Sequence, residues 1–369
     1  MSNVTKHDTW LEDKGPAALV IREHLMPVEG HDGVAFPPTF AAAQGNAPDR
    51  FPGGYNIDKF DDGTNICLID SVGSQANRIE PLFATGEYAK LVPQVVVKAG
   101  EKRVNLLEAG HRAGDAIVRC SSLQEELHDA FRAVLNGDCM PLAKIAPTSL
   151  VFGAWDSRDT QAKLPRLVAS TVRAFNVRKL TRSAQYVPAT AYVDEGLLDD
   201  PGDKKKSDAY AERGFNHVPA TSTHGGVIAD GGIRRDASLH LAALRLLRAG
   251  DDDEKTLLLH RYILGLALVA FTDTAACSGY LRQGCNLVMD SEKAREFNAV
   301  YNDGRRKPTA IAHDDALAYA KVAAKALGVG EDRSVEFDKK LAEKDLAKKD
   351  KEKGKTKSKK KKAKTTKAG

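Results

Sequence analysis

Residues 67–83 read CLIDSVGSQANRIEPLF, and this stretch carries the strongest local signal for fold and function in the chain. It is entered through a short apolar run, residues 66–69, which is typical of a buried strand. A polar turn follows, and the spacing predicts that a helix opens at Ser74, whose hydroxyl is a good N-cap. The sequence therefore predicts a buried strand, a turn and a helix in that order.

Three side chains that carry hydrogen-bond donors follow this serine: Gln75, Asn77 and Arg78. They would lie near a helix N-terminus, where free backbone N–H groups and an arginine suit a phosphate. We therefore take Ser74 and these three residues as the first candidates for binding a phosphate group. A strand followed by an ordinarily capped surface helix is the alternative that the spacing leaves open.

The charge of the chain divides it into a body and a tail. The 369 residues carry a net charge of +5, but residues 338–369 hold 15 lysines against five acids, so residues 1–337 carry −5. The tail has almost no apolar residues after Leu346, and we expect it to be disordered because it cannot bury enough surface to order itself. Such a tail binds polyanions without specificity. A purely solubilising extension is the alternative.

The cysteines and the apolar runs indicate a cytoplasmic protein with no membrane partner. The five cysteines form no C-x-x-C pair, and their odd number suggests a reducing compartment. The N-terminus is too polar for a secretory signal peptide. The longest apolar run, residues 263–271, is far shorter than the roughly 20 residues that a membrane span needs, and it predicts a core helix.

The apolar periodicity predicts helices and strands that alternate irregularly with long insertions, which is typical of an α+β domain. Residues 28–60 and 199–233 predict loop-rich insertions within one domain that ends at residue 337. Helices are expected over residues 122–135, 164–175, 235–249, 256–272 and 314–327, and strands over residues 148–153 and 285–289.

No motif of a known catalytic or phosphate-binding site is found in the sequence. It lacks H-E-x-x-H, G-x-S-x-G and G-x-x-x-x-G-K-[ST]. His313 precedes two aspartates, but a metal site needs at least three converging ligands and the ten histidines are scattered singly. We therefore expect no catalytic residue, no metal and no cofactor.

A glycine-rich segment opens at His224 and leads to two basic residues, Arg234 and Arg235. Glycines allow a close approach of the backbone, and the arginines could contact phosphates, so this segment could cradle a nucleic-acid backbone. A hairpin turn followed by a helix is the alternative. Arg282, beside a glycine, is a weaker candidate of the same kind.

The most basic segment of the body, residues 156–182, has seven basic residues against two acids. Trp155 and Phe175 flank it. Basic residues neutralise phosphates, and an aromatic ring can stack on an unpaired base, so the segment has the composition of a single-strand binding site. A solvated helix face beside one core tryptophan is the alternative.

Four segments taken together resemble one protein family: SVGSQANRIEPLF, SLVFGAWDSRDTQAKLPRLVAST, HVPATSTHGGVIADGGIRRDASLHLAALR and LRQGCNLV. They are similar, in order over residues 65–290, to the backbone subunit of type I-G (formerly type I-U) CRISPR surveillance complexes, in the RAMP superfamily. The matching motifs contain Ser74, Gln75, Asn77 and Arg78, then Arg158, Lys163 and Arg166, then His224, Arg234 and Arg235, and lastly Arg282.

The resemblance implies a modified RRM-like (ferredoxin-like) palm with inserted finger and thumb elements. It also implies a non-catalytic subunit that polymerises head to tail along the guide RNA beside other Cascade subunits. Such a filament should hold phosphates and 2′-hydroxyls and leave the bases free to pair with target DNA in antiviral defence. RNP-type stacking aromatics are not evident in the sequence, which departs from a typical RNA-binding RRM sheet.

Two other functions remain open at this point. The first is a RAMP-superfamily endoribonuclease that processes guide precursors, for which His224 is the candidate acid or base. The second is a globular protein whose only affinity for nucleic acid lies in its tail.

Overall fold

The computed structural model describes residues 3–45, 50–273 and 279–347, without the side chains of residues 220–222. Helices and strands are mixed within it, and this confirms the predicted α+β class. Cys277 and residues 348–369 lie outside the described residues.

The described residues form sixteen strands: β1 (Ala18–Pro27), β2 (Thr39–Phe40), β3 (Gly54–Tyr55), β4 (Ile57–Lys59), β5 (Asn65–Asp70), β6 (Val95–Ala99), β7 (Lys102–Asn105), β8 (Val168–Phe175), β9 (Val177–Tyr186), β10 (Val218–Ala229), β11 (Ile233–His240), β12 (Gly279–Arg282), β13 (Cys285–Met289), β14 (Glu296–Val300), β15 (Arg306–Pro308) and β16 (Arg333–Glu336).

The main α-helices of this part of the chain are α1 (Asp8–Leu11), α2 (Val72–Ile79), α3 (Ala116–Arg119), α4 (Gln124–Leu135), α5 (Met140–Ile145), α6 (Pro147–Phe152), α7 (Lys204–Glu212), α8 (Leu241–Leu244), α9 (Asp253–Thr272) and α10 (His313–Leu327). Short 3₁₀ helices cover Glu80–Ala84, Tyr88–Leu91, Leu106–Glu108 and Arg112–Gly114.

One large antiparallel sheet organises the protein. Its strands follow the order β12–β13–β1–β11–β8–β5–β4. The free edge of β1 is shared, because its first half pairs with β14 and its last residues pair with β13. β14 also pairs with β15. Strands β1 and β11 therefore lie side by side at the centre of the sheet, with eight residue pairs in register.

Strand β1 shows why the sheet has one buried and one open face. Its residues alternate strictly between buried and half-exposed, so Leu19, Ile21 and Leu25 enter the core while Arg22 and His24 lie on the other side. Successive side chains of a strand point to opposite faces, and this alternation is the sequence pattern of a half-buried strand. The helices α2 and α9 pack on the buried face.

Helix α9 is the centre of the core. Fourteen of its twenty residues are buried, and Gly265 allows a close crossing with α10, since an added Cβ would lie 2.8 Å from the Ala320 Cα. By length and composition α9 could span a membrane, but 78% of its apolar window is buried inside the fold. Its burial against α10 and α6 agrees with the predicted core helix.

The sheet curls until two distant strands meet. Arg282 in the terminal strand β12 donates a hydrogen bond of 2.8 Å to the carbonyl of Ile69 in β5, five strand positions away. Apolar side chains from both sides of this junction, including Leu281, Cys285, Cys67 and Ile69, share one buried cluster. The curl therefore encloses a second, smaller core beside the one that α9 fills.

A long ribbon extends from the sheet. β9 follows β8 after a single residue, β10 precedes β11 by three, and the two pair antiparallel with irregular register. Helix α7 lies in the connection at its tip. Residues 199–233, expected as a loop-rich insertion, therefore include a helix and the strand β10.

Three predicted elements were assigned to the wrong class. Residues 164–175 were expected as a helix but contain the strand β8, and residues 235–249 contain the strand β11 and the short helix α8. Residues 148–153 were expected as a strand and lie almost wholly in α6. A short apolar run fits both the spacing of a helix and that of a strand. Pairing with neighbouring strands then decides which of the two forms. The predicted β13, α9 and α10 are confirmed.

The predicted boundary of the ordered body at residue 337 is too early. β16 pairs in parallel with β6, and residues 339–347 continue as a helix. Asp338 donates its backbone N–H to the carbonyl of Cys120 at 2.7 Å, and Asp345 forms an ion pair of 3.1 Å with Arg119. These contacts order the first ten residues of the segment that its composition predicted to be disordered.

Candidate nucleic-acid interface

Helix α2 begins earlier than predicted. Ser71 is its N-cap, and the Ser71 Oγ accepts a hydrogen bond of 3.2 Å from the backbone N–H of Ser74. Ser74 therefore lies inside the first turn and contributes a donor to the cap. The predicted capping role of Ser74 was wrong by three residues, because the serine that directly follows the strand was overlooked.

Gln75 is not a surface residue. Its side chain is completely buried, its Nε2 donates to Asp70 Oδ2 at 2.7 Å, and its Oε1 accepts from the Ser170 hydroxyl at 2.8 Å. The amide thus connects β5 to β8 through the core. The structure contradicts the expectation that Gln75 is aimed at a docked phosphate, because both ends of its amide are already bonded inside the protein.

Asn77 is exposed, and its Oδ1 accepts a hydrogen bond of 3.2 Å from the Arg112 guanidinium. Arg112 is itself buried and forms an ion pair of 2.6 Å with Glu80. Burial raises the pKa of Glu80 to about 7 against the opposing effect of Arg112. Of the four predicted residues in this motif, Asn77 is exposed, Ser74 and Arg78 are half-buried, and Gln75 is buried.

Arg78 and Arg282 converge on one carboxylate. Arg78 Nε lies 3.4 Å from Asp70 Oδ2, and Arg282 Nη2 donates to Asp70 Oδ1 at 3.0 Å. Asp70 is fully buried, while about a quarter of each arginine side chain is exposed. Arg78 also donates to the carbonyl of Leu281 at 3.0 Å. Both arginines therefore join β5 to β12 where the sheet closes.

Arg235 is also internal. It is 1% exposed, and its Nε forms an ion pair of 2.5 Å with the buried carboxylate of Glu23 on the neighbouring strand. Arg295 contacts the same carboxylate at 2.7 Å, and Arg235 Nη1 reaches the Ser170 hydroxyl at 3.4 Å. The structure contradicts the expectation that Arg235 contacts a docked phosphate. Side chains alternate between the two faces of a strand, and this alternation places Arg235 on the buried face.

These internal groups form one polar row across the buried face of the sheet. It runs from Asp70 through Gln75, Ser170 and Arg235 to Glu23. The row separates the apolar cluster around α9 from the smaller cluster that the curl encloses. Buried charges are tolerated when they are paired and hydrogen-bonded, which each carboxylate here is.

The open face of the sheet carries a different set of cations. Arg234, one residue from Arg235, points to this face and pairs in register with His24 on β1 and with Arg173 on β8. Its guanidinium lies 4.7 Å from the centre of the Phe175 ring and is held by Asp236 at 3.0 Å. Three basic side chains thus form a cross-strand row, His24–Arg234–Arg173, next to an aromatic ring.

Arg22 extends this surface along β1. Its guanidinium lies 3.4 Å from Asp236 and 3.5 Å from Glu296, and 40% of the side chain is exposed. Arg22 and His24 were missed as candidates, although the alternation of residues 18–27 held a usable signal. Half-exposed cations beside an aromatic ring on an open sheet can bind a phosphodiester backbone and stack on a base.

The three basic candidates of the second motif lie around one loop, residues 153–167, between α6 and β8. Arg158 and Lys163 are exposed, whereas Arg166 is half-buried and donates to the carbonyl of Phe152 at 2.9 Å. Burial lowers the pKa of Arg166, and the charge of Arg112 adds to this. The loop therefore presents two of the three cations to solvent.

His224 lies on β10 in the ribbon. Its ring packs edge-on against Tyr55 with centroids 4.8 Å apart, and the Tyr55 hydroxyl accepts from the Gly226 backbone N–H at 2.9 Å. A Cβ at Gly225 would lie 2.7 Å from the Thr181 carbonyl carbon of the partner strand, so glycine is required for this close approach. The glycine-rich segment is thus a strand of the ribbon.

Two groups of residues that could bind a metal are occupied by contacts with neighbouring side chains. His31, Asp290 and Glu292 bring ligand atoms within 4.8 Å of one another, but the Lys293 ammonium lies 3.3 Å from Asp290 and places a positive charge there. The two ring nitrogens of His313 contact the hydroxyls of Tyr88 at 2.9 Å and Thr272 at 3.0 Å.

Residues 19–179 match the family model described as CRISPR-associated protein GSU0053. This part of the chain is similar to that CRISPR-associated family. The matched region begins in β1 and ends in β9, so it includes α2, the loop 153–167, and both His24 and Arg173. Among curated proteins there is no match to the chain.

The match covers some of the candidate residues and not others. The motif of α2 and the basic residues Arg158, Lys163 and Arg166 lie inside residues 19–179, whereas the candidates on β10, β11 and β12 lie beyond them. The cationic row therefore joins two residues of the matched region, His24 and Arg173, to Arg234 outside it.

Proposed function

We propose that this CRISPR-associated protein is the non-catalytic backbone subunit of a type I-G Cascade complex and polymerises along the guide RNA. The observation that carries the proposal is the cationic row His24–Arg234–Arg173 on an open antiparallel sheet in a CRISPR-associated chain. Guide RNA is a ligand of matching chemistry, since it is single-stranded and polyanionic before it pairs with its target.

The connectivity of the sheet supports an RRM-like palm. The strands β14, β1, β11 and β8 are adjacent in that order, and α9 lies between β11 and β14 in the chain, followed by β12 and β13. With β1, β8, β11 and β14 numbered one to four, the order is 4-1-3-2, that of a ferredoxin-like sheet. The remaining strands of the sheet are then additions to this palm, and the β9–β10 ribbon is the candidate thumb.

The chemistry of the open face supports RNA binding that does not depend on the RNA sequence. Arginine guanidinium groups bind phosphate through paired hydrogen bonds, whereas base edges are read by arrays matched to each base. Arg234 and Arg22 are both oriented by Asp236 and so present fixed donors rather than flexible ones. A subunit that must accept every guide sequence needs this kind of contact, with the bases free to pair with target DNA.

A head-to-tail filament is the assembly that fits this role. Repeated copies along one RNA strand make heterologous contacts that do not close, and other Cascade subunits would end the series. The target DNA would then be held through pairing with the guide. The localisation that we propose, together with this role, is cytoplasmic.

We propose that guide processing and target cleavage belong to other proteins. The endoribonuclease alternative depends on His224, and the surroundings of that residue are those of a packed side chain in a ribbon, against Tyr55. A general acid or base would need to reach the RNA 2′-hydroxyl or the leaving oxygen.

The test is co-expression of the full chain with a CRISPR array and a processing-competent Cascade set, followed by isolation of the complex. Wild type should carry guide RNA and several copies of this chain. The double variant Arg173→Gln/Arg234→Gln should lose most bound RNA, while Arg305→Gln, an exposed arginine paired with Asp303, should not.

Purified wild type should also leave a precursor RNA intact. If wild type cleaves the precursor and His224→Ala does not, the protein is an endoribonuclease and the scaffold proposal is wrong. A folded protein that retains its guide RNA in the double variant would refute the open-face site.

A further inference from the structure

An exposed tryptophan stands on the loop 153–167. Trp155 is 58% exposed, whereas Trp10, the other tryptophan of the chain, stacks on the buried His7 ring at 4.5 Å and packs against the core. Tryptophan is normally highly buried because its ring is the largest apolar surface of any side chain. An indole held in solvent is therefore a candidate binding surface.

The loop holds Trp155 in a fixed position. Its two sides bond as a short antiparallel pair, with Leu164 donating to the Ala154 carbonyl at 2.8 Å and Asp156 donating to the Ala162 carbonyl at 2.9 Å. The buried Asp156 carboxylate organises the tip, because it accepts from the backbone N–H and the hydroxyl of Thr160 at 2.8 and 2.6 Å. A rigid loop loses little entropy when a ligand docks.

Positive charge surrounds the indole. The Lys163 ammonium lies 5.9 Å from the ring centre of Trp155, and Arg158 is exposed at the loop tip. Because 58% of Trp155 is exposed even with the lysine beside its ring, indole surface remains available to a planar partner. An aromatic platform with adjacent cations is the arrangement by which proteins hold single-stranded nucleic acid without reading its sequence.

We propose that Trp155 is a base-stacking residue for single-stranded RNA, with Arg158 and Lys163 at the flanking phosphates. This inference rests on the proposed function, because it takes the guide RNA as the ligand. The site lies on a different element from the row on the open face: the loop precedes Val168, whereas Arg173 and Phe175 lie roughly 17 and 23 Å further along β8. One nucleotide cannot contact both, so the two sites can be tested independently.

The experiment titrates the full chain with two unrelated, labelled 20-nucleotide single-stranded RNAs. Label anisotropy gives the affinity and intrinsic tryptophan emission reports on the indole. In wild type, bound RNA should change the emission. Trp155→Phe should keep most of the affinity and lose the emission change, because phenylalanine still stacks. Trp155→Leu should bind both RNAs about 5- to 150-fold more weakly. Leu246→Ala, which removes another highly exposed apolar side chain, should behave as wild type.

Three outcomes would overturn the inference. Wild-type affinity in a folded Trp155→Leu variant would remove the stacking role and leave the proposed function intact. A wild-type emission change that follows protein concentration without RNA would assign the indole to a contact between copies. Absence of RNA binding by wild type in the anisotropy measurement would refute the proposed function and the inference together.

Discussion

Asp70 and Arg282 lie on strands that are five positions apart in the sheet order, yet Arg282 Nη2 donates to Asp70 Oδ1 at 3.0 Å. The carboxylate is completely buried and also accepts from Gln75 and Arg78. This one aspartate therefore ties the first strand after the insertion, β5, to helix α2 and to the far end of the sheet. The closure of the sheet is held by a charged cluster rather than by strand pairing.

Replacing Asp70 should destabilise the fold. In Asp70→Asn the two arginines lose their shared counter-charge at the closure, and removing one partner of a buried ion pair typically costs about 3 kcal/mol or more. Denaturant unfolding should show this loss. Asp303→Asn, which breaks an exposed pair with Arg305, should leave the stability close to that of wild type, because solvent screens the pair. Equal stability of the two variants would mean that Asp70 does not hold the closure.

The pH dependence of stability should report on His7. This histidine is 7% exposed beside Trp10 and Tyr319, and burial, with a smaller effect from Lys6, lowers its pKa from 6.5 to about 4. Because the folded-state pKa is lower than the unfolded one, this stability is present above pH 6.5 and is lost as the pH falls toward 4. The loss should reach roughly 2 kcal/mol at pH 5.

The variant His7→Phe keeps an aromatic ring that cannot be protonated. Between about pH 7.5 and pH 5, its loss of stability should therefore be smaller than that of wild type by roughly 2 kcal/mol. Denaturant unfolding at both pH values measures the two losses. His111→Asn, at an exposed histidine, should follow wild type. If wild type and His7→Phe have parallel pH profiles, His7 does not titrate with the lowered pKa.

The cationic row should dominate the salt dependence of RNA binding. Each phosphate of a single strand that the protein no longer neutralises lowers the log–log salt slope by about 0.7, so Arg173→Gln/Arg234→Gln should lower it by about 1.4. The weakening should be equal for unrelated RNA sequences, because these arginines bind the backbone. Weakening confined to one sequence would indicate base recognition instead.

Two truncations should separate the ordered end of the chain from its lysine-rich remainder. Ending the chain after residue 347 keeps the Asp338–Cys120 hydrogen bond and the Arg119–Asp345 ion pair, so the melting temperature should match wild type. Ending it after residue 337 removes both interactions and should lower the melting temperature by several degrees. Equal melting of both truncations would show that residues 338–347 add no stability.

The elements that were predicted well are those whose own sequence is sufficient. α9 and α10 are long and carry clear helical patterns, and β13 is bounded by a glycine and a polar turn. β11 was mistaken for a helix because the leucines and alanines of residues 237–247 fit helical spacing. Pairing with β1 and β8 outweighed that local preference.

The sequence predicted which segments contribute to the site, but it did not predict where their side chains lie. The resemblance carried by the SQANR motif agrees with the family model that residues 19–179 match, yet Gln75 and Arg78 bond to Asp70 within the protein. Arg234 and Arg235 were one candidate pair, and the sheet sends them to opposite faces. A motif records which residues matter, and it cannot say whether they matter for binding or for folding.

The sequence by itself determined the α+β class, the similarity to a CRISPR-associated family, the buried helix α9 and the accumulation of lysines at the end of the chain. These depend on composition, on local periodicity or on short motifs in order, all of which are properties of the sequence alone. Only the tertiary structure decided that Arg78 and Arg282 close the sheet and that His24, Arg234 and Arg173 form one row. Those relations join residues up to 212 positions apart, and strand register, which fixes them, is set by the packing of the whole core.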